Sequence, residues 1–166
     1  MKQLGSQYFA SVIQTGLPDA AAVMTGSPKY PRLQGTVSFY QTPFGVLVTA
    51  AVRHLPISFG KCVHPVFALH IHEGANCTGT PAFQDAGGHF NPNGCEHPAH
   101  AGDLPPLFAD RTGFAWMGVL TDRFRVEDVM GRTVIIHSGV DDFTSQPAGN
   151  AGERIACGMI TPTKRM

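Results

Sequence analysis

Six of the eight histidines in this chain are concentrated in one stretch and one later segment: His70, His72, His89, His97, His100 and His137. Asp103 follows three residues after the fifth of them. Imidazole is a common metal ligand, and a short chain has little other reason to collect so many imidazoles. The clustering therefore predicts metal binding.

Two of the histidines lie on a predicted strand and a third ends another. Residues 66–72 (VFALHIH) are typical of a buried strand, and side chains two apart on a strand share a face, so His70 and His72 present two imidazoles side by side. Residues 133–137 (TVIIH) form a β-branched run that ends in His137 and predict a neighbouring strand. The alternative is a pair of core histidines satisfied by backbone groups, but two buried imidazoles without a shared partner are costly.

The remaining donors lie in loops. His89 is part of GGHFNP, where paired glycines, Asn and Pro predict irregular structure, and residues 97–103 hold three nitrogen or oxygen donors within seven positions. An ordinary polar loop is the alternative for that second segment. Structural zinc takes four ligands and Cu(II) favours a tetragonal set of nitrogens. Seven donors fit two sites of four if one histidine is shared through both ring nitrogens.

Five segments together resemble the copper/zinc superoxide dismutase family, in its bacterial form. In the family's order they are 69–74 (LHIHEG), 87–92 (GGHFNP), 100–105 (HAGDLP), 131–137 (GRTVIIH) and 149–158 (GNAGERIACG). Each is a weak pattern alone, but all five in order are specific, and the resemblance extends roughly from Gly35 to Ile160.

The resemblance implies two metal cofactors, copper and zinc. The implied copper ligands are His70, His72, His89 and His137. The implied zinc ligands are His89, His97, His100 and Asp103, with His89 as the imidazolate bridge. Only two residues separate His97 from His100, fewer than in eukaryotic members of the family, so the zinc segment is expected to be short.

Two further residues match the family's site. Asp141 corresponds to an aspartate that hydrogen-bonds a ligand histidine on each side and so orients both rings. Arg154 corresponds to the arginine at the copper mouth, where a planar cation suits a small anion; a solvated surface charge is the alternative. The loop 138–153 contains no lysine and carries Asp142 and Glu153, so we expect weak long-range steering of an anion.

The four cysteines give a separate expectation. The resemblance implies a disulfide between Cys77 and Cys157, which closes a loop of about eighty residues; two buried free thiols are the alternative. Cys62 and Cys95 are additional, and a second disulfide between them would anchor the short zinc segment. A thiolate metal ligand or a free thiol are the other interpretations of this pair.

Many short strands joined by long functional loops predict an all-β fold, either a sandwich or a flattened Greek-key barrel. The resemblance implies a Greek-key β-sandwich or flattened eight-stranded barrel with long metal-binding and electrostatic loops. We expect an N-terminal arm over residues 1–30, its first part a short helix or partly disordered, and one globular domain over residues 31–166. Further predicted strands are 34–41, 45–54, 113–120, 132–137 and 154–160, with a helical turn within 122–130.

The resemblance implies an enzyme that disproportionates superoxide to dioxygen and hydrogen peroxide by cycling copper between Cu(II) and Cu(I), with zinc tuning the bridging His89. A non-catalytic copper-binding or copper-delivery module on the same fold is the alternative. A mononuclear zinc hydrolase is disfavoured, because no carboxylate is placed as a base beside an open zinc site.

Charge and hydropathy restrict the classes of partner that the chain is expected to bind. The formal net charge is zero, which argues against nucleic acid, and no apolar run approaches a membrane span. The family resemblance implies superoxide as the partner. Residues 1–9 (MKQLGSQYF) lack the apolar core of a signal peptide, so the expected location is the cytoplasm. A homodimer is an open expectation, because dimer surfaces vary within the family.

Overall fold

A computed structural model describes residues 5–58 and 65–163. Its elements, in chain order, are α1 (Ser6–Thr15), β1 (Ala20–Gly26), β2 (Gln34–Thr42), β3 (Gly45–Arg53), β4 (Val66–His72), β5 (Asp103–Phe108), β6 (Ala115–Thr121), α2 (Val126–Val129), β7 (Thr133–His137) and β8 (Arg154–Pro162). The predicted all-β fold is confirmed. Within the described ranges, no helix is long and apolar enough to cross a membrane.

The eight strands form one antiparallel sheet in the order β5-β4-β7-β8-β1-β2-β3-β6. Strands β5 and β6, at the two ends of that order, contact each other, so the sheet curls into a nearly closed barrel. The connections from β3 to β4 and from β6 to β7 cross to non-neighbouring strands, which gives the Greek-key topology. The flattened-barrel form of the prediction is therefore the one observed.

The interior is filled by alternating side chains of β2 and β3 and by β4 and β7, which are buried along almost their whole length. The outer face of β7 is covered as well, because Phe83 and Ala86 of the loop after β4 pack on Ile135 and Cys157. A strand buried on both faces has a continuous apolar sequence rather than an alternating one. That coverage places the histidines of β4 and β7 on rigid, dry strands.

The N-terminal arm is shorter than predicted. Ala20–Gly26 forms β1, which pairs with β2 on one side and β8 on the other, so the barrel begins at Ala20 rather than at residue 31. Sequence reasoning missed this strand because its alanines carry little β propensity and their burial comes from tertiary packing. The short helix in the first part of the arm is present as α1.

Strand β5 was not predicted either. Its sequence, DLPPLF, contains Pro105 and Pro106, which cannot donate to a β ladder. It lies at one end of the hydrogen-bonded order. Among the described strands it pairs only with β4, with an irregular register between Phe67 and Leu69. Prolines are tolerated at such a position because an edge strand leaves half of its N–H groups unpaired.

The disulfide between Cys77 and Cys157 is confirmed and ties the loop after β4 to β8. Cys95 is a free, exposed cysteine. Its predicted partner Cys62 lies outside the described residues, as does His64.

Candidate metal centre

Strand register brings the first histidines together. β4 carries His70 and His72, and β7 runs antiparallel beside it, with His70 opposite Ile135 in the ladder. His137 ends β7 on the same side of the sheet pair, and its ring stacks on that of His72. An isolated backbone bridge joins His72 to His89, which brings the loop histidine to the end of β4.

Two groups of four buried side chains result. The first donor group is His70, His72, His89 and His137. The second donor group is His89, His97, His100 and Asp103. Within each group the donor atoms lie within 4.8 Å of one another, and His89 is common to both. The structure therefore brings together every residue that the sequence analysis named as a ligand.

The first donor group contains two ring nitrogens that face each other without a proton between them. Nδ1 of His72 donates to the Gly87 carbonyl at 3.0 Å, and Nδ1 of His137 donates to the Gly152 carbonyl at 3.3 Å. Each neutral ring then has its lone pair on Nε2, and those two Nε2 atoms are 3.3 Å apart. Facing lone pairs repel unless a cation lies between them, so this geometry fits a bound metal ion.

Asp141 fixes one histidine of each group. Nε2 of His70 donates to Oδ2 at 2.8 Å, and Nε2 of His97 donates to Oδ1 at 2.8 Å. Both rings are thereby oriented, with the lone pair on Nδ1. Those two Nδ1 atoms and Nε2 of His89 are buried and have no hydrogen-bond partner. Unpartnered buried acceptors are rare in proteins, and a metal would satisfy all three.

The second donor group has the spacing of a tetrahedral site. Nδ1 of His97 is 3.0 Å from Asp103 Oδ2, Nδ1 of His100 is 3.4 Å from the same oxygen, and Nδ1 of His100 is 3.4 Å from Nδ1 of His89. Four ligands about 2.0 Å from one zinc ion are separated from one another by roughly 3.3 Å. His97 Nδ1 approaches the carboxylate without hydrogen-bond geometry, so the two atoms converge on a common point rather than on each other.

Glycine at position 149 permits the Asp141 contact. Gly149 has a φ of 65°, and a Cβ there would lie 2.0 Å from Asp141 Oδ1 and 2.7 Å from His97 Nε2. Any side chain would both strain the backbone and displace the hydrogen bond between those residues.

Burial keeps three histidines of the first donor group, His70, His72 and His137, neutral. It lowers the pKa of His70 and of His72 to about 2, and the neighbouring imidazoles add to the shift at His70. Burial also lowers the pKa of His137 to about 4. Burial, the largest single influence, would raise the pKa of Asp103, but the hydrogen bond from His89 and the charge interactions with His89, His97 and His100 together keep the carboxyl pKa below its usual value. Neutral imidazoles beside a carboxylate are the protonation states that metal binding requires.

Arg154 lies at the edge of the first donor group. Its Nη1 donates to the Phe83 carbonyl at 2.6 Å, and its Nη2 donates at 2.5 Å to the same Gly87 carbonyl that accepts from His72. The guanidinium is half-buried and held in one orientation. It is therefore not the freely solvated charge of the alternative interpretation.

Sequence reasoning missed a second cation beside Arg154. Lys29, from the loop between β1 and β2, forms an exposed ion pair with Glu153 at 2.9 Å, and the pKa of Lys29 is raised by that hydrogen bond. The pair lies on the wall of the same open pocket as Arg154. Lys29 thus offsets the acidic Glu153 that the expectation of weak steering relied on, and no local motif connects these distant residues.

Arg123 was also missed. From the turn after β6 its Nη1 donates to three backbone carbonyls of the zinc segment, those of Pro98, His100 and Asp103, at 3.2, 3.2 and 3.3 Å. This side chain braces the loop that carries three of the four donors of the second group.

Comparison with known proteins agrees with the geometry. The copper/zinc superoxide dismutase (SODC) family model matches residues 33–160. The chain is 37% identical to superoxide dismutase [Cu-Zn] 2 of Aquifex aeolicus, over 76% of this chain and 78% of that protein. It is 35% identical to superoxide dismutase [Cu-Zn] of Legionella pneumophila, over 84% of this chain and 85% of that protein.

A relative of different function is also similar. The copper chaperone for superoxide dismutase of Homo sapiens is 34% identical over 85% of this chain, but the match covers only 52% of the chaperone. The family model spans most of the barrel and both donor groups, and the dismutases match along most of their own length. This chain therefore belongs to the copper/zinc superoxide dismutase family.

Proposed function

We propose that this protein is a superoxide dismutase that binds copper in the first donor group and zinc in the second. The observation that carries the proposal is His89, which faces one buried donor group with Nε2 and the other with Nδ1. The family membership supports the same activity.

The reaction converts two superoxide anions and two protons into one dioxygen and one hydrogen peroxide. Bound copper supplies the one-electron cycle between Cu(II) and Cu(I), which no side chain of the described residues can provide. The chain holds the donor atoms. His72 and His137 are fixed by backbone carbonyls, and His70 is fixed by Asp141, so little reorganisation is needed on binding.

His89 is the residue that can supply a proton to the peroxide product. Its Nδ1 is held by Asp103 at 2.8 Å, while its Nε2 has no hydrogen-bond partner among the described residues. When Nε2 is not bound to copper, it is the atom at which the chain could hold a proton close to the substrate. Zinc at Nδ1 would lower the basicity of the ring and tune that step.

Arg154 binds the anion. Its carbonyl contacts hold the guanidinium plane beside the first donor group. The remaining N–H groups have no hydrogen bond to the residues that the structure describes and can donate to a small anion. Lys29 pairs with Glu153 at the wall of the same pocket and so offsets the negative charge of that carboxylate.

A copper-delivery module is the second candidate, because the human chaperone is similar over most of this chain. The complete donor set and the fixed Arg154 favour the enzyme, since a carrier needs neither a buried bridging histidine nor an anion site.

The test is metal analysis combined with stopped-flow superoxide decay, before and after loading with copper and zinc. We expect one copper and one zinc per chain and a copper-dependent increase in the decay rate. His137→Ala should lose copper and most of the activity while it retains zinc, because His137 belongs to the first donor group alone. The same holds for His70→Ala.

His54→Asn is the matched control. His54 is exposed, lies outside both donor groups and has a φ of 60°, which asparagine tolerates. Its metal content and rate should equal those of the wild type. A fully loaded protein that does not accelerate superoxide decay, yet passes copper to an acceptor protein, would establish the carrier instead.

The expected homodimer, the absence of nucleic-acid and membrane partners, and the cytoplasmic location stay predictions. Light scattering and cell fractionation are the measurements for them.

A further inference from the structure

His97 is held at its backbone as well as at its ring. Its N–H donates to Oε1 of Gln146 at 2.9 Å, and its carbonyl accepts from Nε2 of Gln146 at 2.7 Å. The Gln146 side chain, 49 residues further along the chain, therefore satisfies both polar backbone groups of His97, whose ring belongs to the second donor group. The arrangement resembles one rung of a β ladder, with a primary amide in place of the second strand.

The same loop supplies the ring contact. Asp141 accepts from Nε2 of His97, and Gln146 lies five residues later on a short turn. That turn is internally braced, because the Asp142 carboxylate accepts from the N–H of Ser145 at 2.7 Å and the Gly149 N–H donates to the Ser145 carbonyl at 2.8 Å. Asp141 and Gln146 thus present two anchors whose relative positions are fixed.

The two contacts together restrict the position of His97 more than the contact with Asp141 alone would. The contact with Asp141 orients the imidazole about its own axis but leaves the backbone of His97 free to shift along the loop. The contacts with Gln146 remove that freedom. Only Pro98 and Ala99 separate His97 from His100, so a shift at His97 would carry its Nδ1 away from Asp103 Oδ2, now 3.0 Å distant. A donor set misplaced by about 1 Å binds its metal poorly.

We propose that Gln146 is a positioning residue for zinc: it fixes the backbone of His97 so that the ring nitrogen meets the other three donors of the second group. This inference rests on the proposed function, which places zinc there. Gln146 contributes no donor atom to the metal and acts only through His97.

The test uses Gln146→Met, which keeps the length of the side chain and removes both hydrogen bonds. We expect zinc affinity, measured by chelator competition, to fall about tenfold, the lower end of the loss found when an outer partner of a metal ligand is removed. Copper affinity should change less than twofold. Co²⁺ at the zinc site should show altered visible absorption bands, which report ligand geometry and which a general loss of stability would not move.

Gln34→Met is the matched control. Gln34 is an exposed glutamine on β2, and among the described residues its side chain makes no hydrogen bond. Its zinc affinity and cobalt spectrum should equal those of the wild type. Gln146→Met that binds zinc as tightly as the wild type, with an unchanged cobalt spectrum, overturns the inference about Gln146 alone. If His97→Ala also leaves zinc affinity unchanged, the assignment of the second donor group to zinc fails instead.

Discussion

The metal-free protein should lose stability as the solution is acidified from about pH 7.5 to about pH 5.5, a range in which carboxylates stay ionised. Burial lowers the pKa of His70 and His72 to about 2 and that of His137 to about 4. In the unfolded chain all three titrate near 6.5. The unfolded state therefore binds protons in this range while the folded state does not, and stability falls as pH falls.

The size of the effect follows from the same values. At pH 5.5 each of the three histidines favours the unfolded state by about 1.4 kcal/mol, and at pH 7.5 by less than about 0.1 kcal/mol. The three together predict a loss of about 4 kcal/mol, a large part of the stability of an ordinary domain. The folded-state pKa values are low enough that none of the three regains a proton before the pH falls to about 4.

Urea unfolding of the chelator-treated protein at several pH values measures the loss directly. His137→Gln should reduce the pH-dependent part by about 1.4 kcal/mol, whatever it does to the stability at pH 7.5. His54→Asn, an exposed position outside both donor groups, is the control variant for this measurement. A urea midpoint that does not change with pH would refute the argument that buried neutral histidines set the acid sensitivity. The same holds if the unfolding free energy of His137→Gln depends on pH as steeply as that of the wild type.

Three further predictions concern the site and its support. His89→Ala should weaken the binding of both metals, whereas Asp103→Ala should weaken chiefly the binding of zinc, because only His89 belongs to both donor groups. Metal content after dialysis checks this, and loss of a single metal from His89→Ala would exclude a shared ligand. Arg154→Glu should lower the second-order rate with superoxide by about tenfold or more and reverse its salt dependence, with Arg154→Gln intermediate; equal salt slopes in stopped-flow measurements would remove Arg154 from the anion path. Replacing Cys77 and Cys157 together by serine should destabilise the protein by about 4.5 kcal/mol for the closed loop of 80 residues, measured by urea unfolding; an unchanged midpoint would mean that the disulfide adds nothing to the packing around it.

The donors themselves could be predicted from the sequence because their chemistry is local. The two-residue spacing of His70 and His72 fixes a shared face on any strand, and His137 ends a β-branched run that could form the neighbouring strand. The all-β class followed from the same short apolar runs. Periodicity and side-chain chemistry depend on a few neighbouring residues, so both can be read from the sequence without knowledge of the fold.

What only the tertiary structure decided depends on residues far apart in the chain. β1 and β5 are strands because the barrel offers them partners, although alanines and prolines disfavour them locally. The ion pair between Lys29 and Glu153 joins segments 124 residues apart, and the hydrogen bonds between Gln146 and His97 join segments 49 residues apart. Hydrogen bonds and ion pairs of this kind leave no periodic trace in the sequence, because each depends on the relative placement of two loops, and the folded barrel alone sets that placement.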